Sequence, residues 1–173
     1  MNTGSSGTVL HVTYCSREKN PGRHPPDKLY IDRTGRITKL IEYCRSRGLN
    51  WAILSAKYGF LFPDEEVESY DVTLKSCDRK GYLLGVRVIV DGKELPRDES
   101  NKHVEDLVNK LLQQARERKI GKIVFYTRSL KMPKAYIAVL HAAFNNCWEN
   151  HKWNKLLEHL KESKTIEVRT KLE

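Results

Sequence analysis

The stretches TVLHVTY at residues 8–14, RTGRITKLIEYCRSR at 33–47 and WAILS at 51–55 decide the fold. The outer two are short, nearly continuous runs of β-branched and apolar residues, as expected for strands covered on both faces. Between them Ile37, Leu40, Ile41 and Cys44 recur at offsets 0, 3, 4 and 7, the spacing of one buried helix face. Gly48 reads as the helix stop, because glycine enters the left-handed conformation that ends a helix without a steric cost. Strand, helix and strand in this order form the parallel crossover unit, which is right-handed. Cys44, on the helix stripe, reads as a small buried hydrophobe rather than a ligand.

Working outward, residues 15–32 contain Pro21, Pro25 and Pro26 and read as a long loop. Residues 57–63 turn away from the second strand, 64–68 form an acidic surface run, and 69–83 show no clear periodicity. Residues 84–90 alternate as a strand with Arg87 outward, and Asp91-Gly92 turns toward 93–95, so a small β-hairpin insertion is expected at 84–97. Ser100 is expected to cap a helix running to Lys119, with Val104, Leu107, Val108, Leu111, Leu112 and Ala115 on its buried stripe. Gly121 separates that helix from a third core strand, KIVFYT, at 122–127. Pro133 is expected in the first turn of a helix carrying Ile137, Leu140, Ala143 and Phe144. Trp153, Leu156, Leu157 and Leu160 mark another helix, and 165–168 a last strand. The expectation is one three-layer, Rossmann-like α/β domain over residues 8–173 with a mostly parallel central sheet. Residues 1–7, small and polar, read as a flexible end or cloning remnant.

The chain has 173 residues, 39% of them apolar, with 31 Lys+Arg against 22 Asp+Glu and a net charge of +9. A chain of this length buries a core without needing disulfides or metal. No run approaches the ~18 consecutive apolar residues of a membrane-spanning helix, so no membrane partner is expected. Residues 1–60 hold 10 basic and 4 acidic side chains, 61–100 hold 6 and 10, and 101–173 hold 15 and 8. Two basic ends favour a phosphate-containing small molecule or nucleic acid as partner. Cys15, Cys44, Cys77 and Cys147 lie far apart without a CxxC pair, and residues 1–8 carry no signal-peptide pattern; a cytoplasmic setting is expected.

Ligands of open parallel sheets meet the carboxyl ends of the strands. That rule selects residues 15–19, 55–59 and 127–131. In the first segment Cys15 is a thiol beside basic residues and a candidate nucleophile. Ser16 offers a hydroxyl, and Lys19 a compact charge suited to phosphate. His11, inside the strand, reads as structural. In the second segment Ser55 allows close approach, Lys57 brings a cation, Tyr58 supplies a ring, and Gly59 serves a positive φ or a close contact. A ring beside a cation suits a base and its phosphate. In the third, Arg128 can hold a carboxylate or phosphate through two parallel hydrogen bonds. Tyr70 and Asp71 follow the acidic run, and Asp71 is the general-base candidate. The sequence holds no Walker A loop, GxGxxG, GxSxG or HExxH. No His, Cys or Asp group has convincing metal spacing, so neither metal nor cofactor is expected.

Taken together, CSREK after the first strand, WAILSAKYGFLFP through the second and SYDVTL beyond it resemble a family of small α/β domains that includes the YaaA-like proteins. Similar domains accompany archaeal enzymes of tRNA base modification. The resemblance covers about residues 8–75. It implies a three-layer fold with Cys15, Ser16, Lys19, Ser55, Lys57, Tyr58, Gly59, Tyr70 and Asp71 around one cleft. It also implies a task related to nucleotides or nucleic acid, in base modification or repair, and the three segments of small residues and cations at strand ends favour an enzyme acting on a nucleotide, nucleoside or exposed nucleic-acid base. The segment VRVIVDGKEL departs from the family pattern. Two other readings stay open: a non-catalytic nucleic-acid-binding or accessory module, and a structural domain that engages a protein partner or a second copy of itself.

Overall fold

The computed structural model describes residues 7–130 and 133–173. The N-terminal segment 1–7, apart from Gly7, lies outside them, as does Lys131 of the third strand-end segment. The chain runs β1 (Thr8–Tyr14), β2 (Arg23–His24), α1 (Pro26–Leu29), α2 (Arg36–Arg47), β3 (Asn50–Ser55), β4 (Gly59–Leu61) and β5 (Val67–Glu68). It continues through β6 (Val72–Ser76), a 3-10 turn (Leu83–Gly85), β7 (Val86–Val90), β8 (Lys93–Glu94) and α3 (Arg97–Arg118). The last elements are β9 (Ile120–Tyr126), α4 (Lys134–Asn145), α5 (Trp153–Lys161) and β10 (Ile166–Arg169).

The main sheet has the order β10-β9-β1-β3-β4. Its strands are parallel except β4, which is antiparallel to β3. The molecule is therefore an α/β fold with a mixed, mostly parallel sheet. Register brings Leu10 and Val12 level with Ile123 and Phe125, Tyr14 level with Leu54, and Leu54 level with Phe60. This face meets α4: Tyr136 stacks on Tyr14 with centroids 5.3 Å apart, and Phe144 lies 6.2 Å from Phe60. His11 and Thr13 alternate onto the opposite face, where α2 supplies Tyr43 and Arg36. Cover on both sides is what the continuous apolar runs of β1 and β3 require. Because β1, β3, β9 and β10 are parallel, their carboxyl ends share one rim.

Several boundaries differ from the sequence expectation for identifiable reasons. Helix α2 starts at Arg36, since Gly35 holds φ +79° before it, and the Asp32 carboxylate accepts from Thr38 N at 2.8 Å. Gly48 ends it at φ +65°, as expected. The proline-rich segment contains β2 and a single turn, α1, where Pro26 occupies a first-turn position whose N–H has no partner to lose. Residues 57–63 include an edge strand, β4, too short to show alternation. Ser100 is not a cap: α3 begins after Pro96, and the buried Ser100 hydroxyl accepts from Val88 N at 3.1 Å and donates to Val86 O at 3.4 Å. Gly121 lies within β9, where an added Cβ would sit 2.8 Å from Gly7 Cα. Pro133 precedes α4 rather than entering it.

The segment expected as a hairpin belongs to a three-stranded antiparallel meander, β6-β7-β8. The outer edge of β4 is closed by α3. Gln114 accepts from Phe60 N and donates to Phe60 O, each at 2.8 Å, replacing the bonds of a further strand. Gly59, at φ +75°, permits this approach, for a Cβ there would lie 2.5 Å from Gln114 Oε1. Among the described residues, no helix is long and apolar enough to cross a membrane. All four cysteines are free.

Candidate functional site

The carboxyl rim carries a cleft of about 560 Å³, walled by the end of β1, the start of α2, β6, β7 and the first turn of α4. Arg17, Arg36, Lys75 and Arg87 line it, and no carboxylate does. Arg36 is the deepest of the four, at 6% exposure. Its place at the first position of α2 carries the side chain back across the end of β1. There Nη1 donates to Thr13 Oγ1 at 2.6 Å and to Tyr14 O, while the guanidinium lies 3.6 Å above the Tyr14 ring. Burial lowers its pKa from the ordinary arginine value, against the opposing pull of Tyr14, Cys15 and Asp32. Among the described residues no carboxylate forms an ion pair with it. Arg87, by contrast, pairs with Glu94 at 2.9 Å, and Arg17 and Lys75 are exposed. Ala135 and Tyr136 bring the first turn of α4, which has no side-chain cap, to the same cleft.

Cys15 and Ser16 line this cleft. Cys15 is buried, with Sγ 3.5 Å from the Tyr136 hydroxyl, which in turn accepts from Leu74 N at 3.4 Å. Burial, reinforced by Cys15, holds the Tyr136 phenol well above its ordinary pKa. Ser16 Oγ is turned to the carbonyls of Glu18 and Ile31, at 3.1 and 3.4 Å.

Most of the other sequence-selected residues form an adjoining aromatic cluster. Lys19 Nζ lies 4.2 Å above the Tyr70 ring and donates to Arg17 O at 3.2 Å. Burial lowers its pKa, with Cys15 and Asp71 opposing. The Tyr70 and Tyr30 hydroxyls are 2.7 Å apart, and burial raises both phenols well above the ordinary value. Tyr58 meets Tyr70 edge-on at 5.3 Å and donates to Glu68 O at 3.2 Å. Lys57 Nζ is exposed, 5.1 Å from the Tyr58 ring. Ser55 Oγ closes the turn after β3, accepting from Lys57 N and Tyr58 N at 3.1 and 3.0 Å. Lys19 and Lys57 thus flank one pair of rings, yet neither lines the cleft that holds Cys15. The Asp71 side chain is exposed, near enough to Lys19 to oppose the lowering of its pKa, and its carbonyl accepts from Asp91 N at 2.9 Å. Arg128 stands apart: it donates to Thr34 O at 2.7 Å and borders a more open cavity of about 740 Å³ along α2 and the C-terminal residues.

Sequence reasoning placed Arg17 in the first strand-end segment but passed over Arg36, Tyr14 and Tyr136. The signal for Arg36 was present: it precedes Leu40 and Cys44 at four-residue spacing, a basic residue on an otherwise buried stripe. It also passed over His141, Cys147, His151 and His159, whose ligand atoms all lie within 4.8 Å of one another and which could hold a metal ion. Their spacing fits no familiar pattern. The available signal was density, since half of the chain's six histidines and one of its four cysteines fall within residues 141–159.

Residues 10–167 match the family model DUF6884, described as a family of unknown function, and the chain belongs to that family. No curated protein and no solved structure matches it.

Proposed function

We propose that this DUF6884 member binds the phosphate of a nucleotide or nucleic acid in the cleft at the end of β1 and acts there as an enzyme of nucleotide or nucleic-acid-base chemistry. The observation that carries the reading is Arg36: a buried cation without an ion-pair partner, facing a cavity lined by three further cations and no acid. Taking a charge out of water costs several kcal/mol unless an opposite charge or well-placed acceptors compensate. Thr13 and Tyr14 O occupy one of its nitrogens, and the remaining donors suit two oxygens of a phosphate. The start of α4 adds backbone donors for the same anion. Cys15 and the Tyr136 hydroxyl stand where a nucleophile and a proton donor would act. In this reading Lys19, Tyr70, Tyr58, Lys57 and Asp71 form the outer approach, along which a nucleic-acid strand would run.

The finer reading of the fold, a three-layer Rossmann-like domain, supports this site, because such folds bind ligands at the carboxyl rim. The resemblance to YaaA-like domains points the same way. Four free cysteines suit a cytoplasmic setting.

Melting curves and calorimetric titrations with nucleotides, their parent nucleosides, and short single-stranded RNA and DNA test the proposal. At about 100 times Kd a ligand adds about 2.7 kcal/mol of stability. In a chain of this size that raises Tm by roughly 5–11 °C. Nucleotides should produce this shift and nucleosides should not. Equal shifts from both, or none from any ligand, would overturn the reading. Binding of single strands alone, with steep salt dependence, would favour the non-catalytic module instead.

A further inference from the structure

We propose that His141, Cys147, His151 and His159 form a closed, four-ligand zinc site that fastens α5 to α4. The chain is arranged to bring them together. His141 lies on α4, which ends at Asn145, and Asn146 then turns the chain at φ +50°. Cys147 and His151 come from the irregular segment that follows, and His159 from the last turn of α5. The His151 and His159 rings have centroids 4.4 Å apart, His141 and His159 5.8 Å, and His141 and His151 6.3 Å. Cys147 Sγ lies 3.3 Å from His151 Nε2.

An independent observation points to a ligand at this place. His141 is 5% exposed, and its buried Nε2 has no hydrogen-bond partner, whereas Nδ1 lies 2.9 Å from the Asn145 side-chain amide. Buried polar atoms are ordinarily satisfied, so the orphaned nitrogen needs a reason. A metal ion supplies one. With Nε2 on the metal, Nδ1 carries the ring proton, and the Asn145 amide, turned so that its oxygen rather than its nitrogen faces Nδ1, would accept that N–H as outer partners of metal-bound histidines do. Asn145 is itself held by Thr165 Oγ1 at 2.5 Å and Ser163 Oγ at 3.2 Å.

The donor set selects the ion. Three imidazole nitrogens and one thiolate suit Zn²⁺, and four protein donors fill a tetrahedral shell, leaving no position for substrate. Bonds of about 2.0–2.3 Å place such donors roughly 3.3–3.8 Å apart, so the group must contract by about 1 Å on binding. Exposed His159 and half-buried Cys147 and His151 have that freedom. A cavity of about 280 Å³ bordered by His141, His159 and Glu162 gives the ion a route in. The ion would also have a mechanical effect, because α5 fully buries only Leu156 and Leu160 of its nine residues.

Protein made without an affinity tag is dialysed and its zinc measured against chain concentration, and the metal-free form is titrated with Zn²⁺ and with Co²⁺ as an optical probe. The expected result is about one zinc per chain, with tetrahedral Co²⁺ bands and a thiolate charge-transfer band that C147S removes. C147S and H159A should weaken Zn²⁺ binding by about 100-fold or more, and N145A by about 10- to 100-fold. H24A, at a histidine elsewhere on the surface, should leave binding unchanged. Circular dichroism of each metal-free variant separates a lost ligand from a lost fold, and exposed His159 is the position least coupled to folding. Zinc below about 0.1 per chain without Co²⁺ bands in the wild type, or folded C147S and H159A proteins with wild-type affinity, would overturn the proposal.

Discussion

Helix α4 connects two places that make opposite demands. At its start, Arg36, Arg17, Lys75 and Arg87 stand around open space without a carboxylate. In its second half, His141 joins Cys147, His151 and His159, their ligand atoms within 4.8 Å of one another, and no Lys or Arg belongs to that group. The first place has a buried charge and volume but no carboxylate in its lining; the second has crowded nitrogen and sulfur donors, one of them a buried ring nitrogen without a hydrogen-bond partner. An unbalanced charge reports the sign of the missing ligand, and the cavity its size. Crowded nitrogen and sulfur donors report a small cation. The same helix thus carries two different kinds of incompleteness, and each can be probed while the other serves as control.

The largest expected effect comes from removing metal. A site filled at about 1,000 times Kd contributes about 4.1 kcal/mol, so chelation should lower Tm by roughly 8–16 °C. Hydrogen exchange should rise in α5 first, while nucleotide affinity stays within about twofold if the two places are independent. Next is Arg36→Leu, which should weaken phosphate-ligand binding by about 100-fold, or about 2.7 kcal/mol, with zinc content unchanged. Retained nucleotide affinity in that folded variant would remove the basis of the cleft assignment. Lys75→Ala and Arg17→Ala, at exposed rim positions, should each cost about two- to fivefold at low salt and less as salt rises. Titrations at two ionic strengths separate these from Arg36.

The smallest effect concerns pH. His11 is buried with Nδ1 unpartnered, and burial followed by the nearby Arg169 lowers its pKa below the ordinary 6.5. Between the folded value and 6.5 the unfolded chain binds more protons, so stability is lost as pH falls through that window. Below the folded value the loss levels off. His11→Phe should flatten this slope in denaturant titrations, and an unchanged slope would show that other groups govern it.

Residue pattern revealed β1 to the residue and the core of β3, because both run apolar under cover from two sides. It revealed α2 through a four-position stripe and α5 through Trp153, Leu156 and Leu160. Edge strand β4 escaped because three residues cannot display a period, and because Gln114, more than fifty positions away, completes its hydrogen bonding. Cys15 and Ser16 could be placed at the cleft because a strand end is a local feature. Arg36 stood on the buried stripe of α2, but only the folded chain shows that its guanidinium reaches the cleft at the end of β1. The pairing of Lys19 with Tyr70, rather than with the Cys15 cleft, depends on where the loop after β1 doubles back against Tyr30. The histidine group was invisible for the same reason: its ligand spacing follows the turn at Asn146, not a repeat.

The Gln114 side chain has a consequence for how molecules of this protein meet in concentrated solution. A strand from a neighbouring copy that approaches the β4 border finds the amide and carbonyl of Phe60 already occupied. Recruitment into a continuous intermolecular sheet is thereby discouraged at that border by one carboxamide, with no additional strand required to shield it.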